Sequence, residues 1–267
     1  MRYFLILCLA YLPSALVALE LTGPLQQGGL VIGRVEAGSR VFLDRQPVKV
    51  SEQGVFAIGF GRDAKAAAQL TVEKTNGETV SQKLTIAARD YKIQRVEGIA
   101  KKIMSPSAAN IKRSREEAAQ VRAARAQLID RMDFAGEFQW PLLGPITGIY
   151  GSQRFYNGEP NRPHYGVDVA APMGTPVSTP APGVVTLAHQ DMFFSGGTII
   201  IDHGYGVSST MIHLSKVIAK VGDEVAPGDI VAEVGAGGRA TGPHLDWRMN
   251  WMKQRIDPQL LVPPMPQ

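Results

Sequence analysis

Short apolar runs broken by turn residues fill the chain from about Leu19 to Arg89. Leu30-Val-Ile, Arg40-Val-Phe-Leu, Val55-Phe-Ala-Ile and Leu70-Thr-Val are rich in the β-branched and aromatic residues that suit a pleated surface. Asn76-Gly77 lies between Leu70–Thr75 and Thr79–Ile86, the signature of a two-residue hairpin turn. Strands this short and closely spaced predict a small β-sandwich over residues 19–100. It contains no histidine and no carboxylate cluster, so it reads as a structural or docking module.

The texture changes after Ser105-Pro106-Ser107. Ala108 to Met132 is rich in Ala, Arg, Glu and Gln and free of Gly and Pro. Ile111, Ala118, Val121, Leu128 and Met132 recur at roughly helical spacing, with Ser107 placed to cap. This predicts a connecting helix within residues 101–137, its arginines (Arg113, Arg115, Arg122, Arg125, Arg131) forming a solvated face. From Phe138 the pattern returns to β: Gly183-Val-Val-Thr-Leu, Gly197-Thr-Ile-Ile-Ile-Asp, Val207–Ile212, Asp229-Ile-Val-Ala-Glu-Val and His244-Leu-Asp-Trp-Arg-Met. Pro-Gly, Gly-Gly, Gly-Tyr-Gly and Gly-Ala-Gly-Gly separate these runs, and nothing has helical length. Residues 138–263 are expected to form an antiparallel β domain, and the fold class is mainly β.

Composition narrows the class. The chain has 267 residues, is 45% hydrophobic and carries a formal charge of +4, which suits a globular protein with a proper core. No basic run interleaved with aromatics appears, so nucleic acid is not an expected partner. Arg2, the apolar run Tyr3–Leu12 and the small residues toward Ala18 read as a secretory signal over residues 1–18, too short to span a bilayer. The only cysteine, Cys8, lies within it, so the exported chain is expected to have no thiol nucleophile, disulfide or Cys-ligated metal. An exported protein is expected, with no stable membrane span once the signal is removed.

The candidate chemistry sits in the last domain. Arg162-Pro-His-Tyr-Gly-Val-Asp168 places His164 four residues before Asp168, and Gly242-Pro-His-Leu-Asp246 places His244 two before Asp246. On an extended strand residues two apart share a face, so His244 and Asp246 can address one point while Leu245 packs beneath. His213 ends the run Ser209-Thr-Met-Ile-His. Imidazole with carboxylate is the usual ligand chemistry of a catalytic zinc. His189 and His203 read as structural, His203 lying in an Asp-His-Gly turn.

Between about Trp140 and Leu261 these motifs resemble the lysostaphin-type zinc metallopeptidases. The anchors are His164-Tyr-Gly-Val-Asp-Val-Ala-Ala-Pro-Met-Gly-Thr-Pro-Val, Gly197-Thr-Ile-Ile-Ile-Asp-His-Gly, His213-Leu-Ser, Val221-Gly-Asp-Glu-Val-Ala-Pro-Gly and Gly238-Arg-Ala-Thr-Gly-Pro-His-Leu, in the family's order. The resemblance implies Zn2+ held by His164, Asp168 and Asp246, with His244 as general base and His213 holding the water and stabilising the oxyanion. It implies hydrolysis of peptide cross-links of bacterial peptidoglycan. Two positions depart from the pattern: Asp246 stands where the family has the second histidine of His-x-His, and Met211 where it commonly has tyrosine. Aspartate is a competent zinc ligand but adds a negative charge, which weakens the metal as a Lewis acid. The same departures support a rival: a catalytically weak or inactive relative that binds peptidoglycan or activates a cell-wall amidase, with a hydrolase or divisome component as partner. A lipoyl-type carrier lacks the required lysine at an exposed turn. A nucleotide site at Gly235–Gly242 lacks a following helix.

Overall fold

The computed structural model describes residues 19–96, 107–156 and 158–266. The proposed signal segment therefore lies outside the described residues.

The first module contains β1 (Glu20–Thr22), β2 (Leu30–Arg34), β3 (Arg40–Leu43), β4 (Gln46–Val48), β5 (Val55–Gly59), β6 (Ala67–Glu73) and β7 (Thr79–Thr85). Two sheets, ordered β1-β2-β5 and β4-β3-β6-β7, enclose a core that includes Val31, Val41, Phe56, Ile58, Leu70, Val72 and Leu84. On β6 the alternation is clean: Ala68, Leu70 and Val72 face in, while Gln69 is exposed. The hairpin after β6 differs from the two-residue turn its Asn-Gly pair predicts. Lys74 and Glu78 close the loop, with Gly77 N–H donating to Lys74 C=O and Gly77 at φ +86°. Thr75, Asn76 and Gly77 thus make a three-residue loop, in which glycine takes the left-handed position that would strain any other residue.

Strand β5 shows why Val55-Phe-Ala-Ile-Gly has no polar alternation. All five of its residues are buried. Phe56 and Ile58 fill the sandwich, while Val55 and Ala57 on the opposite face join the core of the second module. Burial on both faces needs a continuous apolar run. The two modules are therefore packed through a shared strand, and Trp251 contacts both cores.

A short strand, β8 (Ile93–Val96), leaves the sandwich to pair in parallel with β10 (Gln153–Tyr156). Helix α1 (Ala108–Arg125) follows. Ser107 caps it, its side chain accepting from Asn110 N–H at 3.3 Å. The helix stops a turn and more short of the predicted end, and Leu128 and Met132 lie beyond it, exposed. Its apolar contact is narrow: Ala124 and Val121 meet Leu187, Met192 and Ile200 on the sheet. So small an apolar stripe cannot hold a longer helix down. The expected solvated arginine face is only partly present, because three of the five arginines are engaged by other side chains. Arg113 pairs with Glu117 and Asp191, Arg131 with Asp133 and Glu224, and Arg125 donates to Thr210 Oγ1 at 2.7 Å.

The second module is a large antiparallel sheet made of β9 (Ile146–Gly148), β12 (Val167–Ala170), β13 (Pro176–Ser178), β14 (Gly183–Met192), β15 (Gly196–Asp202), β16 (Val207–Val217), β17 (Glu224–Val225), β18 (Ile230–Val234), β19 (His244–Trp251) and β20 (Gln254–Ile256), with the two-residue β11 (Glu159–Pro160) beside β10. Its main path runs β17-β14-β15-β16-β19-β12-β9. Leu245, Trp247 and Met249 of β19 are fully buried on the core side, where Trp140 stacks edge-on to Trp247. His244, Asp246 and Arg248 take the alternate positions and line the opposite face with α1 to one side. A mainly β chain with an antiparallel C-terminal sheet is what the patterning predicted.

Candidate metal centre

The register of three strands assembles the site. Asp168 on β12 lies opposite Asp246 on β19, and Ile212 on β16 lies opposite Asp246 from the other side. His164 precedes β12 in a loop clamped by two backbone hydrogen bonds, His164 N–H to Ser152 C=O and Gly151 N–H to His164 C=O, both 2.8 Å. Two glycines let the backbone come this close. A Cβ on Gly148 would lie 2.1 Å from Asp168 Oδ2, and one on Gly166 would lie 2.3 Å from Asp246 Oδ1. Larger residues at either position would drive into the carboxylates.

His213 reaches the site through a bulge. Ile199 pairs with Met211 but Gly197 pairs with Leu214, so Thr198 faces two residues, Ile212 and His213. His213 itself has φ +66°. Regular alternation would turn His213 into the core beside Met211. The extra residue changes the phase, so Met211 and Leu214 stay buried in the core while Ile212 and His213 both line the groove. A non-glycine residue in this conformation costs about 1 kcal/mol or more, which the surrounding sheet must offset.

All five predicted side chains meet in one groove of about 780 Å³. His164 Nε2 lies 3.2 Å from Asp168 Oδ1, and His244 Nε2 lies 3.9 Å from the same oxygen. The imidazoles of His213 and His244 are 4.9 Å apart, centroid to centroid. One ligand atom from each of His164, Asp168 and Asp246 falls within 4.8 Å of the others. The 3.2 Å contact lacks hydrogen-bond alignment. Both His164 Nε2 and Asp168 Oδ1 are buried atoms with no hydrogen-bond partner. Orphaned polar atoms like these are costly in a folded protein unless something else binds them. Their convergence with a second carboxylate, that of Asp246, fits a divalent cation.

The two remaining histidines are oriented by the Gly235–Gly242 loop. His213 Nδ1 lies 2.8 Å from Gly237 C=O, and His244 Nδ1 lies 2.8 Å from Gly242 C=O. A carbonyl only accepts, so each Nδ1 carries the proton and, in a neutral ring, each Nε2 is left as a free acceptor. Burial lowers the pKa of His213, favouring the neutral ring. Burial also pulls on His164, but the carboxylates of Asp168 and Asp246 outweigh it and raise its pKa.

His203 and His189 lie away from this groove. His203 is fully buried between Pro182 C=O and Ser209 Oγ, each 2.6 Å from a ring nitrogen. His189 accepts from Asp191 N–H at 3.1 Å. Sequence reading missed Arg248, whose guanidinium contacts both oxygens of Asp246. The signal was present, since residues two apart on a strand share a face. The groove walls come partly from the first module's exit strand, which contributes Lys92 and Gln94.

Residues 162–258 match Peptidase family M23. The chain carries a peptidase family M23 domain. Among relatives, it is 37% identical over 108 residues to the peptidoglycan DD-endopeptidase ShyA of Vibrio cholerae, covering 38% of this chain and 25% of that protein. It is 37% identical over 106 residues to the DD-carboxypeptidase/endopeptidase Mpg of Neisseria meningitidis, covering 40% and 24%. The chain thus spans about a quarter of the length of these curated relatives. A crystal structure of a Pseudomonas aeruginosa protein assigned to peptidase M23 superposes with a TM-score of 0.69 at 29% identity, over 88% of this chain and 94% of that one. The M23 match lies inside the second module. The Pseudomonas aeruginosa match covers most of the chain.

Proposed function

We propose that this chain is a zinc-dependent endopeptidase that hydrolyses peptide cross-links of bacterial peptidoglycan, acting after export to the cell envelope. The observation that carries the reading is the pair of buried, unpartnered atoms, His164 Nε2 and Asp168 Oδ1, converging with Asp246 beside two histidines whose Nε2 atoms are free. The likeness to ShyA and Mpg, named for endopeptidase activity, supports the substrate class.

His164, Asp168 and Asp246 would hold the zinc. When bound there, zinc supplies Lewis acidity toward the scissile carbonyl and acidifies the attacking water. His244 Nε2 takes the proton from that water and, once charged, delivers one to the leaving amine. Its Nδ1–H, fixed on Gly242 C=O, keeps the ring in the tautomer this transfer needs. His213 Nε2 accepts from the same water in the neutral ring and donates to the oxyanion only after protonation. Gly148 and Gly166 keep the two carboxylates in place by leaving them room.

The test is a digest of purified cross-linked muropeptide dimers. Release of monomers should stop on chelation and return with zinc, and His244→Ala should keep the metal while losing release. Undiminished release by the metal-stripped protein would refute the mechanism. A second reading is favoured by one contact: Arg248 already engages both oxygens of Asp246. On that reading the domain is a weak or inactive regulator that stimulates a cell-wall amidase. Stoichiometric zinc without monomer release, together with stimulation of an amidase, would establish it instead.

A further inference from the structure

Asp246 is 2% exposed, and the nearest cation is two residues along the same strand face. Arg248 Nε lies 2.9 Å from Asp246 Oδ1 and 3.1 Å from Oδ2, and its terminal nitrogen lies 2.5 Å from Oδ2. This is the fork geometry in which guanidinium binds a carboxylate most firmly. Burial alone would push the Asp246 carboxyl up, but Arg248 holds it below the usual range. The pair sums to zero charge, the same as the neutral imidazole that the family pattern has at this position.

Two observations show that Arg248 does not itself replace a metal. It gives no hydrogen bond to His164 Nε2 or Asp168 Oδ1, which stay unpartnered although buried in the same groove. A carboxylate also offers about four lone-pair sites. Three guanidinium contacts on Asp246 therefore leave it the capacity to ligate from the other side.

We propose that Arg248 is a positioning residue that balances the charge of Asp246. The His164–Asp168–Asp246 set then presents to a divalent cation the net charge of one carboxylate and two imidazoles. The proposal rests on the metal-site reading above and extends it to a residue the family pattern does not specify. It accounts for how a second buried carboxylate is tolerated before metal arrives, and for how it avoids damping the metal's Lewis acidity.

The experiment is a double-mutant cycle read by zinc affinity, in competition with a chromophoric chelator, and by the melting temperature of the metal-free protein. Neither readout needs hydrolysis. Arg248→Gln is expected to lower the metal-free melting temperature and to raise zinc affinity about tenfold or more, because a positive charge is removed beside a doubly charged ion. Asp246→His alone should bind zinc more weakly than wild type, since Arg248 is left uncompensated. Adding Arg248→Gln to it should bring affinity back to within a few-fold of wild type. Arg248→Lys, which keeps the charge and loses the fork, should stay near wild-type affinity and serves if the glutamine variant does not fold. Unchanged or weaker zinc binding in Arg248→Gln would overturn the proposal. So would a tenfold rise in Arg248→Lys, or melting-temperature losses of the metal-free protein that simply add around the cycle, since two directly paired side chains must couple. Wild-type protein that binds no zinc would overturn the metal-site reading itself, and this proposal with it.

Discussion

At the end of β15, Asp202 and His203 lie in the core, 1% and 0% exposed. Across β16, His164, Asp168, Asp246, His213 and His244 gather at the groove. The residue types are the same and the construction is opposite. Each nitrogen of His203 has a partner, and Asp202 Oδ1 accepts from Gly204 N–H at 2.6 Å. Burial holds His203 neutral with its pKa near 4 and pushes Asp202 up to about 6. In the groove, by contrast, two buried atoms converge with no partner at all. The lesson is that a histidine beside a carboxylate says little. What separates scaffold from site is whether the polar atoms are already satisfied.

The largest expected contrast comes from Asp168→Ala. It should remove zinc and lower muropeptide hydrolysis about a thousandfold or more, while metal-free stability stays the same or rises as one of two facing carboxylates is lost. A marked drop in metal-free stability would mean that Asp168 is scaffold after all. His203→Ala should do the reverse. It leaves Pro182 C=O without its donor and Ser209 Oγ with only Met249 Sδ, beside a cavity, and should cost about 3 kcal/mol in chemical denaturation, with zinc content per folded molecule unchanged.

Asp202→Asn probes the same buried pair through pH. An ionised Asp202 is disfavoured in the fold, so this penalty is absent at low pH and grows as pH rises from about 3.8 to about 6. A neutral His203 is favoured, so its contribution is whole above about 6.5 and is lost as pH falls toward about 4. The two slopes oppose each other in wild type. In Asp202→Asn only the histidine's remains, and the stability gap should widen in favour of wild type by about 2 kcal/mol from pH 6 to pH 4. Denaturation curves showing a constant gap would contradict the assignment. The smallest effect is expected from His189→Ala, a half-buried histidine in neither assembly. It should change stability by no more than about 0.5 kcal/mol and leave zinc content untouched.

Much of the fold is readable along the chain because alternation and turn chemistry are local. The β6–β7 hairpin, the Ser107 cap and the antiparallel C-terminal strands all follow from such signals, although the hairpin loop is one residue longer than Asn-Gly suggests. The helix ends before Leu128 and Met132, which keep the helical period but stay largely exposed and so add little burial to hold another turn. The bulge at Ile212-His213 leaves no trace in composition. It shows only when β15 and β16 are set in register. Arg248 was visible as a charge within an apolar strand. Its meaning depends on Asp246 being buried, which a single strand cannot reveal.

The sequence by itself determined a mainly β chain and the residue types of its candidate site, since strand period and side-chain chemistry are carried residue by residue. Only the tertiary structure decided that β5 serves two cores and that His213 turns out of the core. The same holds for the pairing of Asp246 with Arg248 while His164 and Asp168 stay unpaired. Each of these depends on which strands lie side by side and in what register, and on what burial leaves unsatisfied.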